Sequence, residues 1–192
     1  MSTTEESVTP EPTRAEGEHD DADKASLITA EQRKELEDIR DRVRAEFLFS
    51  KEKRPRSYGQ GVHHVALICR DVRTTTEWYQ NVAGFPVTVL FENRDLAGST
   101  HFFFDVGNGN HLAFFDLPGV EPGPYQEVLG GLHHLCLSVS EEHWHEIRAR
   151  LDERGIEYML ESGTSIYTFD PDGARIEFIH DPLGRMYGHD TM

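Results

Sequence analysis

The chain has 192 residues, of which 37% are hydrophobic and 10% aromatic, enough for the core of one domain with an appendage. No run approaches the roughly 20 apolar residues that a membrane span requires. The formal net charge is −16, and residues 61–192 carry 20 acidic and 8 basic side chains, none of them Lys. Because such a negative field repels nucleic acids and anionic lipids, we expect neither nucleic acid nor membrane as a partner.

The compartment is predicted from the start of the chain and from its cysteines. The first residues show neither a basic start followed by an apolar run nor an Arg-rich transit pattern. Cys69 and Cys136 are too few for a disulfide scaffold and suit a reducing compartment. The sequence therefore predicts a cytoplasmic protein.

The first 60 residues are predicted to contain three segments. Residues 1–28 are rich in Glu, Asp, Ser, Thr and Pro with few large apolar side chains, which predicts a disordered acidic tail. Residues 29–60 are predicted to hold a helix and a basic linker, SKEKRPRSYGQG. Thr29 and Gln32 resemble a capping box, and the helix is predicted over residues 30–50. Its apolar stripe has spacings of three and four: Leu36, Ile39, Val43 and Phe47.

The remaining domain, residues 61–192, contains an internal repeat. HHVALICRDV and HHLCLSVSEE begin 70 positions apart, and each reads as an alternating strand that leads into a helix. FFFDVGNGNHLAFFD and YTFDPDGARIEFIHD each read as strand, tight turn and strand. The sequence predicts two β-α-β-β-β modules, at about residues 61–120 and 131–182. One such module leaves a sheet face uncovered, so the two are expected to pair.

Helices are predicted at equivalent places in the two modules, over residues 74–82 and 143–154. Gly84 and Gly155 follow them at similar offsets and are expected to end them, because glycine readily adopts the conformation that closes a helix.

Chemistry-bearing side chains recur at matching places in the two modules. Alternation along a strand puts His64 and His134 on the face opposite the large aliphatic residues. Glu177 lies within the apolar strand RIEFI, where a carboxylate is costly unless a cation or hydrogen bonds compensate it. Two imidazoles and one carboxylate that converge on one concavity would form a divalent-metal site.

These motifs resemble the vicinal oxygen chelate superfamily, which includes glyoxalase I, methylmalonyl-CoA epimerase, fosfomycin-resistance proteins and extradiol dioxygenases. The resemblance covers about residues 61–182. It implies an α+β fold in which two βαβββ modules pair into an incomplete barrel around a metal site, here preceded by an N-terminal helix and a disordered acidic tail. It also implies that His64, His134 and Glu177 are the metal ligands.

The resemblance favours an Fe(II)-dependent extradiol-type dioxygenase that cleaves a small catecholic aromatic. A facial triad of two His and one carboxylate leaves positions open for a catecholate and dioxygen. Tyr167 lies ten residues before Glu177, where extradiol dioxygenases carry a catalytic Tyr. His101 is a candidate proton shuttle, because an imidazole titrates near neutral pH. The expected partner is a small-molecule substrate, for which an aromatic compound is the candidate, and a homodimer is the candidate assembly.

Two other functions stay open at this point. His111 occupies the strand that supplies a fourth ligand in glyoxalase-type relatives, which would suit a glyoxalase- or epimerase-like lyase or isomerase using Ni, Co, Zn or Mn. The alignment is ambiguous by one residue, and a slip would put Leu112 at the ligand position and turn His111 to the opposite face. The third possibility is a drug-binding protein, although members of that kind typically lack the triad.

Overall fold

The computed structural model describes residues 28–121, 123, 125–186 and 188–191. The predicted disordered tail lies outside them, apart from Ile28. The helices are α1 (Ala30–Phe47), α2 (Val72–Asn81) and α3 (Glu141–Arg154). The strands are β1 (His64–Cys69), β2 (Val87–Glu92), β3 (Thr100–Asp105), β4 (His111–Asp116), β5 (Leu135–Ser138), β6 (Tyr158–Glu161), β7 (Ser165–Phe169), β8 (Arg175–Ile179), β9 (Arg185–Met186) and β10 (His189–Asp190).

The predicted repeat is confirmed. One four-stranded sheet has the order β1-β4-β3-β2 and the other the equivalent order β5-β8-β7-β6, while β9 and β10 form a separate short hairpin. In each module the first strand pairs parallel to the last, and the other neighbours are antiparallel. The fold is therefore α+β with two βαβββ modules, and the two sheets do not close into a barrel.

Both module helices begin two residues earlier than predicted, because each has an N-terminal cap before the predicted start. The Asp71 carboxylate accepts from the Thr74 N–H at 2.7 Å, and the Ser140 hydroxyl accepts from the His143 N–H at 3.2 Å. Helix α3 ends at Arg154 and is capped by Gly155, whose φ of 62° is the left-handed conformation that favours glycine.

A single hydrophobic core joins the two modules. Alternation in β3 and β4 sends three phenylalanines into this core and leaves their neighbours on the opposite face. Trp78 of α2 lies 6.2 Å from the ring of Phe178 in β8, so the helix of the first module packs on the sheet of the second. The fully buried side chains include Tyr79, Phe102, Phe104, Phe114, Phe178, Ile147 and Leu151.

The D-P-D-G turn between β7 and β8 holds the modules together by hydrogen bonds. The Tyr79 hydroxyl donates to Asp170 at 3.1 Å, and both residues are buried. The other Asp170 oxygen accepts from the N–H groups of Asp172 and Ala174 and so shapes the turn. The backbone N–H of Arg70 donates to the Asp172 carboxylate at 3.1 Å. The turn is therefore both a hairpin connection and an intermodule joint.

Helix α1 has the predicted capping box, but it ends at Phe47 rather than near residue 50. Every one of its residues is exposed, including the apolar stripe. The capping box and local pairs such as Arg44–Asp41 stabilise it. Within the described part of the chain, no helix is both long and apolar enough to cross a membrane.

Candidate metal centre

Two of the three predicted ligands meet on the sheet of the second module. Glu177 lies in the middle of β8, in register with Cys136 of β5, and only 4% of its surface is exposed. Its Oε2 lies 3.0 Å from Nε2 of His134, and its Oε1 accepts a hydrogen bond from the Ser165 hydroxyl at 2.6 Å. Both carboxylate oxygens therefore have partners, and one of those partners is an imidazole.

The spacing of these two groups suits a shared cation. Two ligand atoms that are each about 2.1 Å from one ion, at about a right angle, are about 3 Å apart. The 3.0 Å between His134 and Glu177 matches that value. Burial lowers the pKa of His134, and the Glu177 charge opposes this shift only in part. A neutral imidazole is the protonation state that binds metals, so the pair fits a divalent cation.

The His pair that opens each module is in direct contact. Nδ1 of His133 lies 2.6 Å from Nδ1 of His134, and the corresponding distance between His63 and His64 is 2.9 Å. Nε2 of His133 also approaches Glu127 at 3.3 Å. Because the contact occupies Nδ1 of His134, its Nε2 is left for Glu177 or a metal, as in histidines that bind metal through one nitrogen.

Tyr167 borders this pair. It faces Glu177 directly in the β7–β8 register, and its ring centroid lies 5.6 Å from that of His134 in an edge-to-face arrangement. The guanidinium carbon of Arg175 lies 4.9 Å from the centre of the Tyr167 ring. The predicted catalytic tyrosine is thus on the same sheet face as two predicted ligands.

The third predicted ligand, His64, lies on the sheet of the first module. It pairs in register with His111, while Val65 and Leu112 form the next pair, on the core face. His111 therefore shares the face of His64, and the one-residue slip that would have turned it away does not occur.

The registers also identify equivalent positions in the two modules. Cys136 pairs with Glu177 in the second module, and Ala66 pairs with Ala113 in the first. Ala113 is consequently the counterpart of Glu177, and His111 is the counterpart of Arg175. The first module therefore has alanine, and no carboxylate, at the position equivalent to Glu177.

His101 belongs to an aromatic surface beside His64. Its ring stacks on Phe115 at 3.8 Å and lies 4.4 Å from Phe103 and 5.3 Å from Phe91. Its Nε2 is buried and has no hydrogen-bond partner within the described structure. Burial, followed by the nearby charge of His64, lowers the pKa of His101. The imidazole is therefore neutral near pH 7 and can accept a proton.

The predicted ligands are divided between the two sheets. Among the residues that the structure describes, no group of three His, Cys, Asp or Glu side chains could hold a metal ion. His134 and Glu177 meet on one sheet, and His64 and His111 lie together on the other. The assignment of His64, His134, Glu177 and His111 as ligands, and of Tyr167 and His101 as catalytic residues, stays a prediction.

Sequence reasoning missed two residues on the second sheet face, Ser165 and Arg175. Each stands two positions before a residue that was predicted, Tyr167 and Glu177, and side chains two apart in a strand share a face. The two-residue alternation of side chains along a strand could therefore have identified Ser165 and Arg175 from the sequence.

Comparisons with known proteins agree with this architecture. The profile of the Glyoxalase/Bleomycin resistance protein/Dioxygenase superfamily matches residues 61–178. The glyoxalase family protein from Enterococcus faecalis is 27% identical, with a TM-score of 0.52 over 65% of this chain and 100% of that chain. A glyoxylase/bleomycin resistance protein/dioxygenase domain from Frankia sp. EAN1pec is 21% identical, with a TM-score of 0.55 over 66% of this chain and 95% of that one.

A third similar structure contains a metal. It is a variant of the fosfomycin resistance protein FosX from Listeria monocytogenes, complexed with Mn(II) and 1S,2S-dihydroxypropylphosphonic acid. It is 24% identical, with a TM-score of 0.50 over 65% of this chain and 94% of that chain. The chain belongs to the Glyoxalase/Bleomycin resistance protein/Dioxygenase superfamily, the vicinal oxygen chelate proteins.

Proposed function

We propose that the protein is a metal-dependent enzyme in which His64, His134 and Glu177 hold one divalent cation, and that it acts on a small molecule with two adjacent oxygens. The observation that carries the proposal is the buried Glu177 at 3.0 Å from His134. A buried carboxylate is costly without a compensating charge, and a cation between these groups would supply it. The same pair counts against a metal-free drug-binding protein.

We further propose that the site is completed by a second copy of the chain. Each sheet face carries part of the ligand set, and His64 of one copy would join His134 and Glu177 of the other. A twofold dimer would then contain two equivalent sites. Exposed apolar side chains support this arrangement, because they would lie between the copies: Ile68, Val89 and Phe91 on the first face and Met159 and Phe169 on the second.

The reaction that these faces support best is extradiol-type cleavage of a catecholic aromatic with Fe(II). The first module has Ala113 where a fourth, carboxylate ligand would stand, so three protein ligands would leave three coordination positions open. An iron(II) ion bound there would supply Lewis acidity and access to a second oxidation state, which dioxygen chemistry on a diol requires.

The roles of the surrounding residues follow from their positions. The rings of Phe91, Phe103 and Phe115 would form an apolar wall against which a planar aromatic substrate packs. The Tyr167 hydroxyl would donate a hydrogen bond to a substrate oxygen. His101 is neutral, and its buried Nε2 has no hydrogen-bond partner among the described residues, so it would take a proton from the substrate hydroxyl and return it later.

One observation favours the lyase or isomerase alternative. His111 shares the face of His64, so a site with four protein ligands and Ni, Co, Zn or Mn would be available to a carbonyl-polarising enzyme. However, His111 lies two residues before Ala113, which occupies the position equivalent to Glu177. We therefore place this reaction second.

Metal analysis and oxygen uptake test the proposal. The protein is purified anaerobically, its metals are measured, and oxygen uptake is followed with a panel of catechols. Iron together with substrate-dependent oxygen uptake is the expected result. Nickel, cobalt, zinc or manganese without oxygen uptake would instead indicate the isomerase.

The Glu177→Ala variant tests the site itself. It is expected to lose metal retention, whereas Glu153→Ala, an exposed position on α3, is expected to retain it. Equal metal content in the Glu177→Ala variant and the unaltered chain would contradict both enzymatic proposals.

A further inference from the structure

Arg175 is the single Lys or Arg in the eight strands of the two four-stranded sheets. It lies two residues before Glu177 in β8 and therefore shares the face of the predicted metal ligands. Its guanidinium lies over the Tyr167 ring at 4.9 Å. A permanent positive charge thus stands beside the site in a domain that is otherwise strongly acidic.

No acidic side chain within the described structure forms an ion pair with Arg175. Most arginines of the domain do form such a pair. Of the eight arginines in residues 61–192, five form an ion pair with an Asp or Glu side chain: Arg70, Arg73, Arg94, Arg150 and Arg185. Arg148 is on the helix side, where it hydrogen-bonds the Tyr158 hydroxyl, and Arg154 lies in the last turn of α3.

Among the described residues, no hydrogen bond or ion pair engages the Arg175 guanidinium, which contacts the Tyr167 ring at 4.9 Å. A guanidinium that covers an aromatic ring uses its flat face, so its N–H groups stay directed outward along its edges. Those edges form a planar fork that matches the two oxygens of a carboxylate. A half-buried arginine on this sheet face, without a hydrogen-bond or ion-pair partner in the described part of the chain, is therefore suited to bind an anion.

We propose that Arg175 binds a carboxylate of the substrate, so that the substrate is an aromatic diol that also carries a carboxylate group. This inference rests on the proposed function for the diol part of the substrate. The diol oxygens would be directed to His64, His134 and Glu177, while the carboxylate would meet Arg175 beside Tyr167. Arg175 is then a specificity-determining residue and takes no part in bond cleavage.

Binding and turnover are measured with two probes, 3,4-dihydroxybenzoate and its neutral methyl ester. The proteins are the unaltered chain, Arg175→Gln and the control Arg154→Gln, which removes the same charge from an exposed position on α3. Affinity is measured by calorimetry on the protein loaded with Mn(II), and kcat/KM by oxygen uptake with Fe(II).

The unaltered chain is expected to bind the acid more tightly than the ester. Arg175→Gln is expected to weaken binding of the acid about ten- to hundredfold, as for loss of a charge-assisted hydrogen bond, and to leave binding of the ester within about threefold. Arg154→Gln is expected to leave both unchanged. Arg175→Lys, which keeps the charge but loses the fork, is expected to restore the preference only in part.

Three results would overturn the inference: equal binding of acid and ester by the unaltered chain, equal losses for both probes in Arg175→Gln, or binding of neither probe. Equal losses would assign Arg175 a positioning role toward Tyr167. If the acid binds selectively through Arg175 but no oxygen is consumed, the dioxygenase proposal fails and the carboxylate site stands.

Discussion

Glu177 and His101 illustrate opposite ways in which a single residue can carry chemistry. Glu177 is buried, and both of its oxygens have partners, Ser165 and His134. His101 is embedded among rings, and its buried Nε2 has no hydrogen-bond partner within the described structure. A satisfied carboxylate beside an imidazole suits cation binding, whereas an unsatisfied neutral imidazole suits proton transfer.

His101 and His134 both have a lowered pKa, which predicts that the folded protein is less stable at acidic pH. Both shifts are caused first by burial, which disfavours the protonated form in the folded state. When the pH falls below 6.5, the ordinary pKa of histidine, these two side chains bind protons more readily in the unfolded chain than in the folded chain. The free energy of unfolding therefore decreases on acidification. The contribution is fully present above pH 6.5 and decreases below it.

Urea unfolding of the metal-free protein at pH 8, 6 and 5 measures this effect. The unaltered chain is expected to lose stability on acidification, and His101→Phe is expected to lose less, because Phe keeps the ring contacts and has no proton to take up. Identical pH dependence in the two proteins would show that His101 makes no such contribution.

Tyr79 predicts a large stability effect far from the site. Its hydroxyl donates to Asp170 across the intermodule joint, and Tyr79→Phe would leave a buried carboxylate oxygen without that donor. Loss of a buried hydrogen bond to a charged group costs about 1–3 kcal/mol. Chemical denaturation should show such a loss for Tyr79→Phe and none for Tyr58→Phe, whose side chain is exposed. Equal stability of Tyr79→Phe and the unaltered chain would mean that the joint does not depend on this contact.

At the scale of elements, local patterns predicted most of what the structure contains. Period-two alternation predicted which face of β1 carries His64, and turn residues predicted the β3–β4 and β7–β8 hairpins. Helix starts were placed late because Asp71 and Ser140 act as caps through side-chain hydrogen bonds that periodicity does not register. The face of His111 remained open because only pairing with His64 fixes its register.

Helix α1 provides a prediction of its own. All its residues are exposed, and its capping box and side-chain pairs are local. A chain that begins at residue 50 is therefore expected to melt within about 3 °C of the full chain, which corresponds to less than about 1 kcal/mol for a domain of this size. Calorimetry of both chains tests this. A much larger decrease would show that the apolar stripe of α1 covers the domain or a second copy.

In the molecule as a whole, the two modules share one hydrophobic core, and the sheet faces that carry the predicted site residues are the faces opposite it. The sequence predicted that three ligands converge, and the structure brings two of them together on one sheet. Periodicity specifies the face of a sheet on which a residue lies, but it does not indicate which two sheet faces come together. That step depends on tertiary and quaternary packing.

The central proposal is a cation shared by His64 of one copy and His134 and Glu177 of another, and complementation between two defective chains tests it directly. Differently tagged His64→Ala and Glu177→Ala chains are produced in the same cells, and the doubly tagged dimer is isolated. In one of its two sites both His64 and Glu177 would be replaced by alanine. The other site would receive His64 from the Glu177→Ala chain and Glu177 from the His64→Ala chain, and would be intact.

Metal content per dimer is the deciding measurement. We expect about one metal ion in the doubly tagged dimer, about two in the unaltered dimer and almost none in either singly altered dimer. A doubly tagged dimer without metal would contradict the shared site, and full metal content in either singly altered dimer would contradict the ligand assignment.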